Sequence, residues 1–233
     1  MLGAAAIAFA PATRGETSES RAMPLAVLLG DSVFANAAYV GGGPDVIAQL
    51  RQRLPAGWQA SLAAVDGAVM ADIPRQLDRV PPDATHLVIS VGGNDALRVS
   101  AVLSAPSRSV TDSLEQLWSV RDQFTQGYRA MLDAVDRRGL PFAVSTIYDP
   151  RYPDPAQRRI GTAALCVIND AILREAATRG WPILDLRLVC DDDRDFANPI
   201  EPSAQGGWKI AGAIVSLLTG HDFANTRSAI FTR

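Results

Sequence analysis

The sequence predicts an α/β fold built on a five-stranded parallel sheet with helices on both faces. Three observations carry this expectation. Short apolar runs alternate with longer stretches of helical periodicity along the whole chain. The order is strand then helix throughout, and parallel neighbours need such helical crossovers. Long connections at 96–110, 148–155 and 187–202 follow the C-terminal ends of apolar runs, which is where open α/β sheets bind ligands.

The elements follow in order. Leu25–Leu29 reads as the first strand and leads to the loop Gly41-Gly42-Gly43-Pro44. Asp45–Leu54 reads as a helix with Val46, Ile47 and Leu50 on one face, and Pro44 suits its first turn. Ala60–Val65 is the second strand, ending at Asp66-Gly67, and Met70–Val80 a short helix. Leu87–Val91 is the third strand. Thr111–Arg138 is the longest helical pattern, with Leu114, Leu117, Trp118, Phe124, Tyr128, Met131, Leu132 and Val135 near the 3.6 period, and Gly139 closes it. Phe142–Ile147 is strand four, Asp154–Arg179 a helix ended by Gly180, and Pro182–Leu186 strand five. Ser203 suits the N-cap of a final helix reaching about Leu218.

A chain of 233 residues fits one domain, read here as 23–220 followed by a tail at 221–233. With 48% apolar and 20% charged residues, the composition is that of a soluble globular protein. The net charge of −3, with no Lys/Arg stripe, argues against a nucleic-acid partner. No run approaches the roughly 20 apolar residues of a membrane span. Residues 1–22 differ from the rest: Leu2–Ala12 is small and apolar, Arg14–Arg21 polar. Ala8-Phe9-Ala10 has the form of a signal-peptidase site, but no positive segment precedes it. A disordered extension is the favoured reading, and the compartment stays open, with cytoplasm ahead of export. Cys166 and Cys190 form no metal-binding cluster. Two buried free thiols are favoured over a disulfide. No metal or organic cofactor is expected, and the oligomeric state is open.

The chemistry concentrates where apolar runs stop. The first ends at Gly30-Asp31-Ser32, the second at Asp66-Gly67, the third at Gly92-Gly93-Asn94-Asp95. Taken singly, Ser32 or Asp31 could cap a turn, Asn94 and Asp95 could be turn residues, and Gly67 could supply only a positive φ. Together at strand ends they suggest one shared site.

These blocks resemble the first three motifs of the SGNH (GDSL-type) hydrolases, over roughly Leu25 to Leu218. The resemblance implies a flavodoxin-like, three-layer α/β/α sandwich and hydrolysis of a small-molecule ester. It implies Ser32 as nucleophile, with the backbone N–H groups of Ser32 and Gly67 and the Asn94 amide as oxyanion hole. Asp31 and Asp95 would fix local turns. The chain departs at the fourth block, where the family carries Asp-x-x-His before Pro. Here Asn198-Pro199-Ile200-Glu201-Pro202 stands in its place.

Neither histidine is placed to substitute. His86 opens strand three, roughly 16–20 Å from its far end at about 3.3 Å per residue. His221 follows the final helix, roughly 22 Å from its start. Glu201 could instead take the serine proton if burial raises its pKa. Asn198 would then orient it without adding charge, with Asp195 a further candidate partner. Alternatively Glu201 only caps the last helix, and the chain is a weak or inactive module that binds acyl or acetylated-sugar ligands. Apolar residues of the 96–110 loop could form a lip for acyl chains or belong to the core.

Overall fold

The computed structural model describes residues 23–232. The segment 1–22, read above as an extension, lies outside the described residues. The central sheet has six parallel strands rather than five, in the order β2 (Gln59–Leu62), β1 (Leu25–Gly30), β3 (His86–Ser90), β4 (Phe142–Ser145), β5 (Ile183–Leu184) and β8 (Ile230–Phe231). The sixth strand comes from the end of the chain. Only two residues long, it adds to the β5 edge through pairings such as Leu184 with Phe231, too short to leave a periodic signal.

β1 is buried along its whole length because helices cover both faces. Val27 and Leu29 point with Leu87 and Ile89 toward α2 (Ile73–Leu77), α4 (Val110–Asp136) and α5 (Pro155–Arg179). Ala26, Leu28 and Val88 point toward α1 (Val46–Arg53) and α7 (Ala204–Gly220). The two-residue alternation of a strand thus feeds two cores, one per face.

The connections after β3 and β5 are not open loops. The first folds into α3 (Gly93–Arg98) and a 3-10 turn over Ser100–Ser104. The second forms α6 (Leu186–Val189) and a small antiparallel hairpin, β6 (Phe196–Asn198) with β7 (Glu201–Pro202). Both lie at the C-terminal ends of the strands.

α4 has 27 residues, about 40 Å, longer than the sheet it covers. Its buried side chains run from Phe124 to Val135. The first half, with Val110, Leu114 and Trp118 exposed, overhangs the strand ends. In α5 burial begins at Ile168, so its first turns project likewise.

Both cysteines are free thiols, but only Cys190 is buried. Cys166 falls on the solvent side of α5, contrary to the expected burial of both. Among the described residues, no helix is long and apolar enough to cross a membrane.

Candidate active site

The chain turns sharply out of β1 at Gly30. Its φ of +131° is one that side chains rarely adopt, and an added Cβ would stand 1.8 Å from the Ser90 carbonyl oxygen. Gln76 of α2 grips the same residue twice, accepting from the Gly30 N–H and donating to its carbonyl, both at 2.7 Å. Asp31 then donates its N–H to Ser90 at 3.1 Å and accepts from the Val33 N–H at 3.1 Å, closing the turn that carries Ser32. Ser32 is therefore held by the sheet on one side and a side-chain clamp on the other.

Glu201 meets it from the β6–β7 hairpin. The Ser32 Oγ donates to Glu201 Oε1 at 3.1 Å, a buried contact between residues 169 positions apart. Three other groups fix the glutamate's backbone. Asn198 Oδ1 accepts from the N–H groups of Ile200 and Glu201, both at 3.0 Å. The Tyr148 hydroxyl donates to the Ile200 carbonyl at 2.5 Å. The Asn36 amide donates to the Pro202 carbonyl at 3.1 Å and accepts from Val46 N–H at 2.9 Å.

Asn198 meets Glu201 through the backbone: its amide oxygen turns the hairpin by accepting from the Ile200 and Glu201 N–H groups. Asp195 is not a partner of Glu201. Its carboxylate is buried against Lys209 at 2.7 Å and Gln205 at 2.9 Å. Nor does Glu201 cap the last helix: Ser203 does, accepting from the Gly206 N–H at 3.2 Å.

The Asn94 amide donates to the Ala68 carbonyl at 2.9 Å, which brings it beside Gly67. Asp95 accepts from the Met70 N–H at 3.1 Å and ties α3 to the same segment. Gly67 is exposed at φ +75°, at the edge of the site. The N–H groups of Ser32 and Gly67 have no protein acceptor among the described residues. Both histidines sit at the opposite end of the sheet. His86 pairs in register with Ala26 while Ser90 pairs with Gly30, and it packs between Trp58 and Phe223 at 5.2 and 5.0 Å. His221 packs edge-on against the same Phe223.

Carboxyls dominate the electrostatics around Ser32. Burial pushes the Glu201 carboxyl above the usual carboxylate range, and nearby Asp66 adds to this, while the hydrogen bond from Ser32 opposes it. Burial raises Asp31 from the usual 3.8 to about 7, and the charges of Glu201 and Asp95 push the same way. A carboxylate that is partly desolvated and hydrogen-bonded to a hydroxyl is equipped to accept that hydroxyl's proton.

Tyr148, Asn36 and Gln76 carry no signal in the sequence, since each acts on backbone groups far along the chain. Ser32, Asn94, Tyr148 and Glu201 all line one cavity of about 530 Å³ between the strand ends and the overhanging helices.

Residues 28–208 match the model of the GDSL-like lipase/acylhydrolase family. The chain belongs to that family. Solved structures give the same fold. An extracellular lipase from Streptomyces rimosus is 19% identical with a TM-score of 0.62, over 85% of this chain and 100% of that one. A phospholipase A1 from Streptomyces albidoflavus is 15% identical (TM-score 0.58; 86% and 100% covered). The aryl esterase of M. smegmatis is 13% identical (TM-score 0.60; 84% and 99%). Comparison with curated proteins found no match. Membership of the GDSL-like family supports a hydrolase acting on ester bonds.

Proposed function

We propose that the protein is a serine ester hydrolase in which Glu201 replaces histidine as general base. The observation that carries this reading is the buried Ser32 Oγ to Glu201 Oε1 hydrogen bond of 3.1 Å. Glu201 takes the hydroxyl proton as Oγ attacks the ester carbonyl. The oxyanion forms beside the N–H groups of Ser32 and Gly67 and the Asn94 amide, where pre-aimed donors stabilise developing charge. Collapse breaks the bond to the alcohol, which leaves with the proton from Glu201, and the acyl group stays on Ser32. Water then gives its proton to Glu201 and attacks the acyl carbon. The carboxylic acid departs and Oγ regains its proton.

The raised pKa of Glu201 suits this role, because a base of ordinary carboxylate strength is too weak to deprotonate a serine efficiently. Asn198, Tyr148 and Asn36 act as positioning residues through the Glu201 backbone. Labelling with a fluorophosphonate probe tests the reading, together with turnover of p-nitrophenyl acetate by wild type and Ser32→Ala. Labelling and turnover that vanish in Ser32→Ala support it. Absence of both in wild type overturns it.

A further inference from the structure

The cavity beside Ser32 is built with little polarity and one kind of charge. Its floor is the strand ends, with Val91 and Ile147. Its walls are the overhanging first halves of α4 and α5, contributing Leu117, Val120, Ala164 and Leu165. Its third side is the α3 and 3-10 segment. Among the described residues, the only charged side chains lining it are Asp31 and Glu201. No Lys or Arg among the described residues faces it, although Arg98, Arg121 and Arg158 lie on the elements that form it. Arg121 turns away to Asp170 at 2.9 Å and Arg158 to Asp193 at 3.0 Å.

We infer that this cavity holds the acyl chain of a long-chain monocarboxylic ester carrying no second charge. The inference rests on the ester-hydrolase reading above. An acetyl group would leave most of about 530 Å³ unfilled, and an apolar wall gains contact only from an apolar occupant. A second carboxylate or a phosphate on the chain would face two carboxyls with no cation to offset them. The chain in the cavity is the acyl part and not the alcohol. Asp66, whose charge acts on Glu201, and Gly67 are exposed and lie outside the cavity lining, so the inference gives that side to the departing alcohol and the entering water while the acyl group stays bonded to Oγ. Each methylene buried contributes about fourfold to kcat/KM, the equivalent of about 0.8 kcal/mol.

The test has two arms. In the first, kcat/KM is measured for p-nitrophenyl acetate, butyrate, octanoate and dodecanoate, and for ethyl and dodecyl acetate. The inference expects a rise of several-fold per added acyl methylene until the cavity is full, with dodecyl acetate no better than ethyl acetate. Ala164→Phe and Val120→Phe, on different helices, each lower the dodecanoate-to-butyrate ratio about tenfold or more. A ratio is unaffected by partial loss of folded protein. Rates flat or falling with acyl length, or a preference that follows the alcohol chain, overturn the inference while leaving the hydrolase reading intact. In the second arm, 1-dodecanol and dodecanoate are titrated into Ser32→Ala at alkaline pH. Tighter binding of the alcohol supports the inference even if wild type hydrolyses no ester, in which case only the hydrolase reading fails. Equal or tighter binding of the carboxylate overturns it.

Discussion

Glu201 offers one carboxylate oxygen to Ser32 and keeps the other, Oε2, buried without a hydrogen-bond partner among the described residues. A carboxylate so poorly solvated holds its proton more strongly than one in water. Three backbone anchors keep it there.

Removing the Tyr148 hydroxyl should loosen the glutamate without touching the reacting atoms. Tyr148→Phe leaves the Ile200 carbonyl without its donor and should cost about 1 kcal/mol of stability. Displacement of Glu201 should lower kcat by up to about 10²-fold with little change in KM. Thermal unfolding and steady-state kinetics on the same preparation check both. A variant that loses stability but retains full kcat would confine Tyr148 to a structural role.

Asn94→Ala should lower kcat about 10²–10³-fold, the usual effect of losing one oxyanion donor. The amide also holds the Ala68 carbonyl, so unfolding is followed in parallel. Unchanged kcat in a folded variant would remove Asn94 from the oxyanion hole.

Asp31 makes stability depend on pH with a definite sign. Its carboxyl is raised in the folded protein from 3.8 to about 7, so between those values the folded state binds more protons than the unfolded. Its contribution to stability is therefore full below about pH 4 and is lost as pH rises through about 7. Asp31→Asn removes this loss and can still accept from the Val33 N–H. Its Tm relative to wild type should climb from pH 4 to pH 8, as measured by calorimetry. A difference constant with pH would mean that Asp31 titrates in its ordinary range.

Asp66→Asn should shift the acid limb of the rate profile to lower pH, since the Asp66 charge helps to hold Glu201 above its usual range. The Tyr39 hydroxyl, which donates to Asp66 at 2.9 Å, retains an oxygen acceptor in the variant. A limb that stays in place would show that burial alone sets the Glu201 pKa.

The strands and the first three motif blocks were legible because each apolar run stops at a small residue followed by polar ones. Ser32 and Asn94 could be placed at one end of the sheet from that punctuation, and His86 at the other, whereas Glu201 was reached only through the resemblance of its block to the family's fourth motif. α3 was not legible. It is a six-residue helix with no buried side chain, entered through Gly92 at φ +118°, so its periodicity is faint. β8 is shorter still. The supports of Glu201 left no trace either. Asn36 and Tyr148 bond to carbonyls 166 and 52 residues away, and no local pattern records a side chain that serves a distant backbone. Asp195 misled for a related reason, since its nearness to Glu201 in sequence hides a side chain committed to Lys209.

The most direct test of the central claim is the pH dependence of kcat/KM for p-nitrophenyl acetate, from about pH 5 to about pH 9, in wild type and Glu201→Gln. Wild type should gain activity as pH rises through a carboxyl group titrating above the usual carboxylate range. Glu201→Gln should be slower by about 10²–10⁴-fold and should lose that limb. Wild-type rates in Glu201→Gln, or a limb that persists without the carboxylate, would contradict Glu201 as the base.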